Sequence, residues 1–192
     1  MLTVLIGYLA GSVPFAFLLA RKAGVDVRLA GSGNVGAANV LRTAGASRGV
    51  LVLMLDVAKG AAAVLLAHAI AGGATLAALT GAAAIVGHIY PVWLRFHGGK
   101  GVAVAAGVFS VLAPAATAIA GFLFLVTVWS TRYVSLGSVA ATLVLPPVAW
   151  LAGAPRTVVL AAGGTAILIL FRHRANVRRL LAGTERRMGA RS

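Results

Sequence analysis

Long apolar runs alternate along this chain with short polar stretches. The runs cover about 2–20, 49–71, 74–94, 102–130, 134–151 and 157–171. Most approach or exceed the roughly 20 residues that a helix needs to cross a bilayer. The run from 102 to 130 is the longest and carries Pro114 near its middle. A proline ring there removes a backbone donor and disfavours one uninterrupted helix. The pattern therefore predicts six crossings, or seven if that run divides.

Charge placement decides between them. With the uncharged N-terminal stretch outside, the segment 21–48 lies inside, carrying Arg21, Lys22, Arg28, Arg42 and Arg48. The uncharged loop around Gly72 and Gly73 then falls outside, and Arg95 and Lys100 return inside. A single crossing over 102–130 would leave Arg132 outside, together with a tail holding seven Arg between 172 and 191. Dividing the run at Pro114 places both inside and leaves only Arg156 outside, as the excess of basic residues in cytoplasmic loops requires. The expected architecture is an all-α integral membrane protein: a seven-helix transmembrane bundle, N-terminus outside and C-terminus cytoplasmic, with 1–192 as a single domain. The half-run 102–113 would span only about 18 Å as a helix. It must start earlier, thin the membrane, or re-enter under the cover of its neighbours. Residues 1–20 lack a basic stretch ahead of their apolar core and are expected to be a retained first helix rather than a signal peptide.

Composition agrees with the bilayer. Of the 192 residues 60% are apolar and 10% charged, and there are 24 Gly, a balance that excludes most soluble folds. The 17 Lys and Arg against 3 Asp and Glu give a net charge of +14. Such a charge would suggest nucleic acid, but here the basic residues sit between apolar runs, where they orient a membrane protein, so no nucleic-acid partner is expected. The absence of Cys removes disulfides and thiolate chemistry.

Four clusters could carry chemistry. In Gly31-Ser32-Gly33-Asn34, followed by Asn39 and Arg42, the glycines permit tight turns that expose N–H groups, Asn34 and Asn39 add donors, and Arg42 can fork to a phosphate. Ser32 would add a hydroxyl. The alternative is a polar loop with a helix cap at Ser32. His97-Gly98-Gly99-Lys100-Gly101 combines close backbone approach, a following helix N-terminus and a full positive charge, the parts of a phosphate loop without the Walker spacing. A glycine-rich turn with an orienting Lys is the alternative. His88, upstream in Gly87-His88-Ile89-Tyr90-Pro91, is expected to be a packed, hydrogen-bonded residue. Asp56 and Lys59, three residues apart in an apolar run, are expected to pair inside the bundle, although Lys59 facing the site is a second option. His173 and Asn176 share one face of a helix leaving the membrane among six Arg from 172 to 187, and a basic juxtamembrane tail alone explains neither of them.

What is missing narrows the reaction. No His is followed five positions later by Asp, as in soluble glycerolipid acyltransferases, and 3 carboxylates are too few for a carboxylate-rich two-metal site. No cluster has metal-ligand spacing, so no metal site is expected. A small transporter remains the competing class, with Asp56 and Lys59 lining an anion path. Against it, the polar clusters gather on one predicted face and no repeat-related pair of broken helices is evident.

Taken in order, Gly11-Ser12-Val13-Pro14, Gly31 to Arg42, Asp56 to Gly60, Gly87-His88, His97 to Gly101, Arg132 with Ser135, and His173 to Glu185 resemble the bacterial membrane acyl-phosphate:glycerol-3-phosphate acyltransferases, the PlsY family. The resemblance implies transfer of a fatty acyl group from acyl phosphate to the sn-1 hydroxyl of glycerol 3-phosphate, without cofactor, giving lysophosphatidic acid and inorganic phosphate, the first step of phospholipid synthesis. It places the chain in the bacterial inner membrane, active site towards the cytoplasm, among membrane lipids, with a transient contact to the enzyme that makes acyl phosphate. Mapped onto this chain it implies catalytic roles for Ser32, His173 and Asn176. Substrate and phosphate binding would fall to Gly31, Gly33, Asn34, Asn39, Arg42, Gly98, Gly99, Lys100, Gly101 and Ser135. Ala38 and Val104 stand where the family pattern has Thr, so two hydroxyls are missing and neither position receives a role.

Overall fold

The structure, a computed structural model, describes residues 1–71 and 73–189; Gly72 of the expected outer loop and Arg191 of the basic tail lie outside the described residues. Among the described residues all regular structure is helical: α1 (Leu2–Ser12), α2 (Phe15–Arg21), α3 (Ala37–Thr43), α4 (Ala46–Ala71), α5 (Ala74–Ile89), a 3-10 turn (Val92–Leu94), α6 (Val102–Leu112), α7 (Pro114–Thr131), α8 (Val134–Leu151) and α9 (Arg156–Leu181). Among the described residues six segments are long and apolar enough to cross a membrane: Leu2–Arg21, Ala46–Ile70, Ala74–Leu94, Pro114–Thr131, Val134–Leu151 and Arg156–Leu181.

Prolines explain two departures from smooth helices. Pro114 is the first residue of α7, where its missing N–H costs no hydrogen bond, so the longest apolar run divides where its sequence suggested. The expected single first helix is instead interrupted at Val13-Pro14. Pro14 cannot supply the amide that a continuous helix would need, and Phe15 bonds back to the Val13 carbonyl at 3.1 Å. The apolar run ending near 171 continues as one helix to Leu181, carrying the basic tail out along its own axis.

The chain falls into two compact units, 1–112 and 113–192. In the first, α1 packs on α5, and α4 packs on α5 and α6. Close approach of α4 and α6 depends on glycine: a Cβ on Gly107 would strike the Val57 carbonyl, and one on Gly60 would strike that of Val104. Small residues at such crossings let dispersion contacts and weak backbone contacts replace the hydrophobic drive that lipid does not provide. α6 has 11 residues, about 16 Å of helix, and Val104, Val108 and Phe109 are buried in it. In the second unit, α8 packs against both α7 and α9.

Candidate functional site

The segment between α2 and α3 is built around one side chain. Asn39, 1% exposed, sits in α3 and receives the Ser32 N–H on its Oδ1 at 2.9 Å. Its Nδ2 donates to the carbonyls of Val27 at 2.9 Å, Ala30 at 3.1 Å and Asn34 at 3.0 Å. A buried amide so fully bonded has no capacity left for an anion. Asn39 shapes the loop, a different task from the donor role its sequence context suggested. Gly31 completes the turn with φ +61, and a Cβ there would strike the Asn39 side-chain oxygen, so conformation and space both demand glycine. The Ser32 amide is held by Asn39 and the Gly33 amide by the Ala30 carbonyl at 3.1 Å. What the loop offers outward is the exposed Ser32 itself, with exposed Arg42 one turn beyond Asn39 on α3 and Asn34 half-buried. Arg28 is drawn away by Asp26, whose carboxylate it meets at 2.6 Å. That hydrogen bond, first among several contacts, lowers the Asp26 pKa to about 2.

The glycine loop before α6 shows a similar division of labour. The Gly98 amide donates to the Ile89 carbonyl at 3.0 Å and the Gly99 amide to that of His88 at 3.1 Å. Both amides of these glycines, expected to bring the backbone close to a substrate phosphate, bond the C-terminal end of α5, and the glycines pack closely there. A Cβ on Gly98 would strike the His88 carbonyl, and one on Gly99 would strike the His88 ring. Lys100 follows half-buried, and Gly101 adopts φ +91 to enter α6. The first turn of α6 is a helix start, whose N–H groups have no intrahelical partners, and Lys100 stands just before it.

Asp56, Lys59 and His88 are all buried. Lys59 Nζ lies 2.7 Å from Asp56 Oδ1 as an ion pair and makes hydrogen-bonding contacts with His88 Nδ1 at 3.1 Å and the Val13 carbonyl at 2.9 Å. The i,i+3 pairing read from the sequence is present, and His88 is packed and bonded as expected.

In the second unit, His173 is 2% exposed, on α9. Its Nδ1 lies 2.9 Å from the Ile169 carbonyl. A carbonyl only accepts, so Nδ1 carries a proton in this contact. One turn on, Asn176 Nδ2 donates to Glu185 Oε1 at 2.7 Å, and Arg179 Nε to Glu185 Oε2 at 2.7 Å. Burial pushes the Glu185 carboxyl up, but the bonds from Asn176 and Arg179, with the Ser135 hydroxyl beside them, outweigh it and hold the pKa below its ordinary value. Ser135 Oγ, buried at the start of α8, lies beside that carboxylate without a well-aligned hydrogen bond. Glu185 ends the His173 to Glu185 motif, and the family resemblance implies no role for it. Its position nine residues after Asn176, beyond the end of α9, gives no periodic signal; only its being one of 3 acids in so basic a chain marks it. Among the described residues no group of three His, Cys, Asp or Glu could hold a metal ion.

The same arrangement of helices occurs in solved proteins. Over 98% of this chain and 94% of the other, the structure superposes on the glycerol 3-phosphate form of PlsY (YgiH), an integral membrane glycerol 3-phosphate acyltransferase, with a TM-score of 0.94 and 42% identity. The lysophosphatidic acid form of that protein gives 0.91 and 41%. A glycerol-3-phosphate acyltransferase of Rubrobacter xylanophilus is 48% identical over 193 aligned positions, covering all of this chain and 96% of the relative. One from Agrobacterium fabrum is 46% identical over 189, covering 98% and 91%. The family model described as glycerol-3-phosphate acyltransferase matches residues 1–183. With only helices and six membrane-length apolar segments among its described residues, and with this match, the chain belongs to the glycerol-3-phosphate acyltransferase family of integral membrane proteins.

Proposed function

We propose that this protein transfers a fatty acyl group from acyl phosphate to the sn-1 hydroxyl of glycerol 3-phosphate. The hydroxyl oxygen attacks the acyl carbon, the bond from that carbon to the phosphate oxygen breaks, and the hydroxyl proton leaves with the phosphate. Lysophosphatidic acid and inorganic phosphate are the products. Both substrates are anions and the attacked carbonyl gathers negative charge, so a cationic site stabilises the bound substrates and the oxyanion together. Acyl phosphate is already activated. Alignment of the two reactants is then the main requirement, an effect that lowers a barrier by roughly 7–11 kcal/mol in the best cases.

The observation that carries this reading is the Lys100 loop: its two leading glycines are locked onto α5, and the loop opens directly into the first turn of α6. Lys100, Gly101 and Arg42 bind phosphate, and Gly31, Gly33, Asn34, Gly98 and Gly99 give the loops their form. Ser32 contributes its hydroxyl next to the reacting groups. His173, Asn176 and Ser135 position glycerol phosphate, and a substrate phosphate removes the hydroxyl proton. The seven-crossing topology belongs to the same proposal, with the N-terminus outside, the C-terminus cytoplasmic, 1–192 acting as one acyltransferase domain, and the site facing the cytoplasm of a bacterial inner membrane. The acyl-phosphate-producing enzyme is then a transient partner.

Purified protein in detergent, given acyl phosphate and glycerol 3-phosphate, is expected to form lysophosphatidic acid without any second compartment. Acyl-CoA in place of acyl phosphate is expected to give none. No product from acyl phosphate would overturn the donor assignment, and a transporter would make no product from either.

A further inference from the structure

Buried charge inside a membrane-spanning bundle is costly, and apolar residues of the same volume often pack as well or better. The Asp56–Lys59–His88 cluster is therefore more than the packing of α4 against α5 needs. Its contacts suggest what it is for. The Lys59 ammonium bonds the Val13 carbonyl at the α1–α2 break at 2.9 Å and lies over the Phe15 ring, 5.4 Å from its centre. It also fixes His88 through Nδ1 at 3.1 Å, with the Asp56 carboxylate 3.6 Å from the same nitrogen. The other edge of the ring, at Nε2, lies against Gly99, where a Cβ would collide with it. The His88 main chain holds the Gly99 amide at 3.1 Å. Val35, from the Ser32 loop, closes on the same point: its carbonyl would stand 2.7 Å from a Cβ on Gly99. His88, Asp56, Val35, Gly98 and Gly99 line one small cavity beside the break at Val13-Pro14.

We propose that Asp56, Lys59 and His88 act as one positioning unit for the phosphate loop. The ion pair locks the His88 ring, and the ring sets how far the Gly98–Lys100 backbone can settle onto α5 and hence where Lys100 and the first turn of α6 present themselves. The cluster touches no substrate. Its effect is transmitted through Gly99, and it rests on the phosphate-binding reading of that loop.

The test compares wild type with His88→Phe, which keeps ring volume and removes both nitrogens, and with His88→Asn, whose side-chain oxygen can take the place of Nδ1. Lys59→Met combined with Asp56→Leu removes both charges together. Each is measured for kcat and for KM with both substrates, and for the rise in melting temperature that 10 mM inorganic phosphate gives, about the level of a weak anion site. His88→Phe and the double variant are expected to raise the KM of at least one phosphate substrate tenfold or more, with a smaller change in kcat, and to lose most of the phosphate-induced shift. His88→Asn should recover KM to within about threefold of wild type. Unchanged KM and phosphate shift in the two apolar variants would overturn the proposal, as would a failure of His88→Asn to rescue. If the apolar variants do not fold, the same criteria apply to His88→Gln, which places its amide near Nε2 and removes the Lys59 contact at Nδ1: wild-type KM would refute the proposal and a tenfold rise would support it. Wild type that forms no lysophosphatidic acid would refute the acyltransfer reading alone, since the phosphate-induced shift still tests the positioning unit.

Discussion

Asn176 donates its amide N–H to Glu185 at 2.7 Å, so a residue expected to meet substrate is itself held by a carboxylate beyond the end of its helix. The Arg179 guanidinium grips the other oxygen of the same carboxylate at 2.7 Å. This two-sided grip fixes the Asn176 amide plane and leaves its carbonyl oxygen directed away from Glu185. It also closes the segment after α9 back onto that helix.

The pH dependence of stability follows from this carboxylate. Burial opposes ionisation of Glu185, but the bonds from Asn176 and Arg179, with the Ser135 hydroxyl beside them, favour it, and the net result is a folded pKa below the ordinary 4.5. A group whose pKa is depressed on folding stabilises the protein above its unfolded pKa, and that stabilisation is lost as pH falls through the folded value. Glu185→Gln is expected to lower stability at pH 7 by about 1.5–3 kcal/mol, the range for a hydrogen bond to a charged group. The gap to wild type should close as pH drops below about 4.5. Thermal unfolding in detergent across pH 3–8, roughly the span over which such carboxylates titrate, checks both; a gap that widened on acidification would refute the assignment.

Removing the phosphate-loop cation should mainly affect turnover. Lys100→Ala is expected to lower acyltransfer by about 100- to 1000-fold, the scale of losing one charge-stabilising donor, while the protein stays folded in membranes. Near-wild-type turnover would remove Lys100 from the site.

His173 gives a test of who takes the proton. With Nδ1 donating to the Ile169 carbonyl, a base role for this ring would fall to Nε2. Substrate assistance predicts that His173→Gln retains measurable activity, because the glutamine amide can still position glycerol phosphate. Complete loss of single-turnover chemistry with unchanged glycerol 3-phosphate binding would make His173 the base.

Asn39 should be intolerant of charge. Asn39→Asp sets a carboxylate against three carbonyl oxygens and loses the donors that Val27, Ala30 and Asn34 accept. Unmatched buried acceptors cost about 1–3 kcal/mol each. The variant is expected to be cut rapidly by protease between 27 and 36 and to lose at least tenfold in activity, with Asn39→Ala less affected. Equal behaviour of Asp and Ala at this position would argue against the loop role.

Much of this was legible from apolar runs and punctuation. Pro114 ended one helix and opened another because a proline at the first helical position forfeits no hydrogen bond, and this local rule operates without tertiary context. The Asp56–Lys59 pairing followed from three-residue spacing alone. The break at Val13-Pro14 was missed because the run 2–20 is apolar throughout, and the carbonyl that the break leaves exposed is answered by Lys59, 46 residues away in sequence. The spending of the Gly98 and Gly99 amides was hidden for the same reason: glycine spacing predicts close approach but not which carbonyl is approached. Asn39 read as a donor to ligand because sequence cannot distinguish a polar side chain pointing outward from one folded into its own loop.

The spacing of Asp56 and Lys59 also bears on how this protein is made. Both residues belong to α4, one turn apart, and their 2.7 Å contact needs no other part of the chain. While α4 is entering the lipid it therefore carries a self-neutralised dipole instead of two lone charges, so the insertion penalty is reduced before α5 arrives. The same pair with its members on separate helices would have to wait, uncompensated, for the second to be synthesised. Placing both charges on one helix lets the segment be threaded into the membrane first and acquire its partner His88 afterwards.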